Sequence, residues 1–116
     1  MKVKKMNKME LYTLANKILD ETNDLENFNY DFQLMIIGVR YKNNTYVEYF
    51  VDDMWDVKDK YVEYIKNHGI NEIESIFIAD MDIGIVYTNI ENNYVIGENT
   101  TIDNIRNFAK INTIYI

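Results

Sequence analysis

The sequence predicts an α+β fold: a small mixed or antiparallel sheet of about four to five strands packed with three helices, in the order α-β-β-α-β-β-β-α, with a C-terminal strand able to join. Three observations predict it. Apolar residues recur at helical spacing in three separated stretches, and short runs rich in β-branched and aromatic residues, bounded by Asn and Gly, lie between them. The 116 residues can bury one core but not two comfortable ones, so the chain reads as a single domain. Residues 1–31 are its N-terminal helix and loop, and residues 32–116 its α+β core.

Asn7 followed three residues later by Glu10 makes a capping-box start, and Leu11, Leu14, Ala15, Ile18 and Leu19 repeat at helical spacing behind it. This helix should end near Thr22 and Asn23, whose side chains compete for the backbone. After a loop carrying Phe28 and Tyr30, the runs Phe32 to Tyr41 and Tyr46 to Val51 flank Lys42 to Asn44 and predict a β-hairpin, its Asn-Asn turn tolerating positive φ. In the second strand Tyr46, Glu48 and Phe50 share one face, and Val47, Tyr49 and Val51 form the better core side. Asp52 and Asp53 open a second helix at its positive dipole end, Met54, Val57, Tyr61 and Ile65 form its apolar stripe, and Gly69 closes it.

Strands are expected over Ile73 to Ala79 and Ile83 to Ile90, with Gly84 giving a bend, followed by a turn at Asn92 and Asn93 and a short strand at Tyr94 to Ile96. Thr100 or Thr101 caps a third helix that faces Ile102, Ile105 and Phe108 or Ala109 inward. Ile111 to Ile116 alternates apolar and polar residues and supplies the last edge strand.

Composition bounds the function. Without cysteine there is no disulfide framework, zinc ribbon or thiolate nucleophile, which fits a reducing cytoplasm. The basic start from Met1 to Lys8 runs into polar residues, so no signal peptide is read, and the longest apolar run is far short of a membrane span. A net charge of -7 repels nucleic acid and anionic membrane and attracts basic surfaces. The charge is unevenly spread: Lys2, Lys4, Lys5 and Lys8 crowd the start, whereas between Lys66 and Arg106 there is no Lys or Arg among Glu72, Glu74, Asp80, Asp82, Glu91, Glu98 and Asp103.

Assembled chemistry is hard to find. His68, the one histidine, stands at a helix end where it would meet the C-terminal dipole, and the four glycines are scattered singly, so no phosphate-cradling loop is present. Ser75 lacks both a glycine elbow and a histidine partner. Asp80 and Asp82 are two apart and would share one face of an extended segment, roughly 6.6 Å from each other, as paired acids or Mg²⁺ ligands do. No cofactor or metal is expected otherwise. On the second helix Asp52, Asp56, Asp59 and Glu63 follow at intervals of four, three and four and make one exposed stripe. Like charges there cost about 0.2–0.5 kcal/mol per pair, offset in part by Lys58, Lys60 and the helix dipole. Carboxylates about 5–6 Å apart resemble a phosphate row. The ten tyrosines and Trp55 add area suited to an interface, with Tyr49 and Tyr61 assigned to the core.

Four pieces in order resemble the first domain of the ArdA antirestriction proteins of plasmids, conjugative transposons and phages. MIIGVRYKNNTYVEYFVDD is similar to the family's opening hairpin, VKDKYVEYIKNHG to its helix, EIESIFIADMDIGI to its acidic strand pattern E-E-x-x-I-x-D-x-E, and GENTTIDNIRNFAKI to its helix G-E-x-T-S-I-E-E-L-N-x-L-A. The resemblance spans Met35 to Ile111. It implies a DNA mimic that occupies the cleft of a restriction or similar defence enzyme, with Asp52, Asp53, Asp80, Asp82 and Glu98 as the acids that matter. Asp82 stands where the motif has glutamate, and the family's members are longer, so the target implied extends to other enzymes such as a CRISPR effector.

The leading expectation is therefore a non-catalytic inhibitor of a basic nucleic-acid-binding defence enzyme, with Glu48, Asp52, Asp53, Asp56, Asp59, Glu63, Asp80, Asp82 and Glu98 contacting that partner. It binds neither nucleic acid nor membrane directly, and a homodimer fits as well as a monomer. Two alternatives stay open: an immunity protein or antitoxin that blocks a basic toxin, and a small Mg-dependent enzyme using Asp80 and Asp82.

Overall fold

A computed structural model describes residues 1–23, 35–50, 69–91, 95–97, 100–110 and 114–115. In chain order these form β1 (Lys2–Lys5), α1 (Lys8–Asn23), β2 (Met35–Tyr41), β3 (Thr45–Phe50), a 3-10 turn (Ile70–Glu72), β4 (Ile73–Asp80), β5 (Ile85–Thr88), α2 (Ile102–Lys110) and β6 (Ile114–Tyr115). The fold class is α+β, as the sequence predicts. The strands build one mixed sheet in the order β1-β5-β4-β2-β3-β6, with β1 and β6 parallel to their neighbours and the inner pairs antiparallel. The predicted helix over Asp52 to His68 lies outside the described residues, so two helices are seen where three are expected.

Helices on opposite faces explain why β2 is buried along almost its whole length, since a strand covered on both sides must be apolar on both. α1 lays Leu11, Ala15, Ile18 and Leu19 on one face against Met35, Ile37, Val39, Val47, Ile76 and Ile78. Ile105 and Ala109 of α2 meet Ile36, Tyr46, Phe77, Ala79 and Val86 on the other. Cross-strand pairs such as Ile37 with Ile78 and Val39 with Ile76 are sealed from solvent, each buried aliphatic contributing about 1.5–3 kcal/mol. The prediction for β3 is incomplete in this respect: Val47 is core, but so is Tyr46 on the opposite face, because α2 covers that side. Tyr41 and Tyr46 are buried tyrosines, whereas the side chains of Tyr49 and Tyr61 lie outside the described set.

Local chemistry fixes the element ends. The Glu10 N–H donates to Asn7 Oδ1 at 2.7 Å and the Asn7 N–H reaches back to Glu10 Oε1 at 3.4 Å, the reciprocal capping box that starts α1. Thr101, not Thr100, caps α2, its Oγ1 accepting the Asn104 N–H at 3.3 Å. The β2–β3 loop Lys42 to Asn44 closes with the Asn44 N–H on the Tyr41 carbonyl at 3.0 Å, and Asn44 takes φ 67°, the left-handed residue a three-residue hairpin loop needs.

Three expectations are corrected. Residues 81–84 form a turn, so β5 begins at Ile85 rather than Ile83; Gly84, at φ 69°, ends that turn with its N–H on the Asp80 carbonyl at 2.9 Å. Val95 to Gly97 is a turn, not strand, because Val95 is drawn into the α2-side core and the Thr100 N–H closes on the Gly97 carbonyl. Gly69 is extended, at φ -70° and ψ 160°, and leads into the 3-10 turn, while the helix it is expected to close lies outside the described residues. Finally, the lysine-rich start is a strand: β1 pairs with β5 from Lys2 opposite Ile85 to Lys5 opposite Thr88. No helix among the described residues is long and apolar enough to cross a membrane.

Candidate functional site

Glu48 projects from β3 on the α2 face, where the pleat places it opposite Gly38. Gly38 makes room there, because a Cβ on it would come within 2.5 Å of Phe77 Cζ and 2.7 Å of the Tyr46 hydroxyl oxygen. The Tyr46 hydroxyl donates to Glu48 Oε2 at 2.5 Å, and Arg106 Nε of α2 donates to the same oxygen at 3.1 Å. Arg106 also approaches Asp103 Oδ1 at 3.7 Å, and Lys110 Nζ stands 5.5 Å from the centre of the Tyr46 ring. With side-chain exposures of 21% for Arg106 and 15% for Glu48, this is a half-buried clasp between strand and helix. Glu48, expected at a partner surface, is thus engaged inside the fold.

Asp80 ends β4 and is buried; its Oδ1 accepts the N–H groups of Asp82 at 3.1 Å and Ile83 at 3.3 Å. That is the hydrogen bonding of an Asx turn, in which the carboxylate shapes the β4–β5 connection. The expected geometry of Asp80 and Asp82 side by side on an extended segment is overturned, because Asp82 stands in the turn itself, bound through its backbone to Asp80. Among the described residues no three or more His, Asp or Glu side chains gather closely enough to hold a metal ion.

The remaining described acids fall into separate places. Glu72, Glu74 and Glu91 lie at the end of the sheet where β4 begins and β5 has finished. There Asn89 continues the β4–β5 pairing with its side chain, accepting the Ile76 N–H at 2.8 Å and donating to the Glu74 carbonyl at 3.5 Å. Glu74 meets Arg40 Nε at 3.3 Å, an ion pair outside hydrogen-bonding alignment, and Glu91 meets Lys5 Nζ at 3.4 Å. Asp82 occupies the opposite end, and Asp103 stands on α2. Asp52, Asp53, Asp56, Asp59, Glu63 and Glu98 lie outside the described residues, as does His68. An open groove of about 500 Å³ runs beside α1, lined by Met9, Tyr12, Thr13, Asn16, Lys17 and Asp20, all from that single helix.

Sequence reasoning missed Arg106 as the partner of Glu48, since 58 residues separate them and no local spacing links the two. It also missed the role of Lys5 and Lys8, whose ammonium groups donate to the Ile90 and Ile73 carbonyls at 2.9 Å each and pin the start of the chain to the sheet end. The alternation Lys2, Val3, Lys4 was the available signal. Comparison with protein-family models, with characterised proteins and with solved structures found no match.

Proposed function

We propose that the protein is a non-catalytic inhibitor of a nucleic-acid-binding host defence enzyme, of antirestriction or anti-CRISPR type, that competes as an acidic mimic for a basic cleft. The observation that carries this reading is the uneven charge: -7 overall, a helical-spaced row of Asp52, Asp56, Asp59 and Glu63, and no Lys or Arg between Lys66 and Arg106. Two properties of the described side chains support binding over chemistry. Asp80 spends its buried carboxylate on turn N–H groups, and Glu48 spends its own on Arg106 and Tyr46. Exposed acids such as Glu91 and Asp103, at 86% and 79% side-chain exposure, add to the field a cationic groove would meet.

The test is competition with DNA. A restriction-modification complex loaded with a fluorescent duplex should release it as the protein is added, less effectively as salt rises, while the protein itself leaves free duplex unbound. The triple variant Asp52→Asn, Asp56→Asn, Asp59→Asn should associate at least tenfold more slowly at low salt, by loss of steering. A triple variant as fast and as tight as the parent removes the acid row from the mechanism.

A further inference from the structure

β1 is an outermost strand of the sheet, and its ladder fixes which backbone groups are spoken for. The Lys2 N–H donates to the Gly84 carbonyl at 2.9 Å and the Met6 N–H to the Thr88 carbonyl at 3.1 Å. In a parallel pair, N–H and C=O of alternate residues point to the same side, so Lys2, Lys4 and Met6 face β5. The N–H and C=O of Val3 and Lys5 therefore point away from it, along an edge that no other described strand covers. Side chains alternate across the same strand. Lys2 and Lys4 stand on the α1 side, with Lys4 Nζ 5.8 Å from the centre of the Tyr87 ring, while Val3 packs on the α2-side core and Lys5 reaches Glu91 and the Ile90 carbonyl.

We infer that this edge accepts an acidic extended segment of another protein as an added strand. The backbone of Val3 and Lys5 supplies main-chain pairing over about 13 Å, the length of four strand residues. The side chains select the partner. Residues directly opposite across a pair point to the same face, so a segment alternating acid with aliphatic sets its carboxylates beside Lys2 and Lys4 and its aliphatics beside Val3. A second copy of this edge is refused, because its lysines would lie against these at like charge. The site lies on the one basic stretch of an acidic chain and stands independently of the function proposed above.

The probe is a labelled heptapeptide alternating Glu and Val, read by fluorescence anisotropy on the full chain. It should bind at low salt and weaken as salt rises. In hydrogen exchange the amides of Val3 and Lys5 should gain protection on binding, those of Lys2 and Lys4 should not. Val3→Pro deletes an outward N–H that β5 does not use and should weaken the peptide about fivefold or more. The exposed double reversal Lys2→Glu, Lys4→Glu should abolish binding, and it carries the test should Val3→Pro lose its native circular dichroism. An equally charged peptide interrupted by a central proline should not bind. The inference fails if the alternating peptide does not bind, if the proline-interrupted peptide binds as well, or if the double reversal leaves affinity unchanged. It fails equally if a single-stranded oligonucleotide of the same charge binds the edge more tightly than the peptide.

Discussion

Gly38 shows how one missing side chain organises a face of the sheet. A methyl group there would overlap the ring of Phe77, which is fully buried, and press on the Tyr46 hydroxyl that serves Glu48. Alanine is otherwise the better strand residue, because glycine loses more backbone entropy on folding, a difference of about 0.5–1 kcal/mol. Overpacking a closed core costs about 1–3 kcal/mol, so the collision prevails. Gly38→Ala should lower the urea midpoint without changing the slope of the transition. Asn44 obeys the opposite logic: its left-handed φ of 67° is open to glycine and costly to a β-branched residue. Asn44→Gly should leave the thermal midpoint within a degree or two or raise it, while Asn44→Val should cost about 1–2 kcal/mol in chemical denaturation.

Between elements, the Glu48–Arg106 clasp joins β3 to α2 across 58 residues of sequence. Glu48→Gln takes from the half-buried Arg106 its nearer carboxylate and leaves the longer contact with the exposed Asp103, so it should cost about 2 kcal/mol, less than the 3–5 kcal/mol of a fully buried pair because both groups keep some exposure. A double-mutant cycle with Arg106→Met should recover about 1 kcal/mol or more of coupling by urea titration; additive single losses would mean that the two groups act separately. Elements whose signals are local were legible in the sequence. The α1 capping box, the Asn-Asn hairpin turn and the Thr101 cap each rest on residues within four positions of one another. β1 was not, because KVKK becomes a strand through pairing with Ile85 to Thr88, some eighty positions on. The same distinction governs the acids. Composition showed their number and spacing, but whether a carboxylate faces solvent depends on neighbours far along the chain, which is why Glu48 and Asp80 proved to be engaged within the fold.

At the scale of the whole molecule, the lysine-rich edge and the acidic body act against each other, and deleting residues 1–5 separates their effects. The strand is held by its pairing to β5, by Val3 on the α2-side core and by Lys5 on the Ile90 carbonyl. Without it, β5 becomes the edge and presents the backbone of Ile85 to Thr88, an apolar sequence with no lysine to discourage pairing with another copy. The deletion also removes Lys2, Lys4 and Lys5 and takes the net charge from -7 to -10, which strengthens repulsion between copies. Which effect prevails depends on screening. At about 0.01 M salt the Debye length is about 30 Å, so repulsion reaches across an approaching pair and the truncated chain should stay dispersed. At about 0.15 M it falls to about 8 Å, and strand pairing at contact distance escapes it. Light scattering during a salt titration should therefore show the truncated chain associating above a threshold at which the full chain remains unchanged. Equal behaviour of the two chains at every salt concentration would mean that β1 contributes nothing to keeping copies apart.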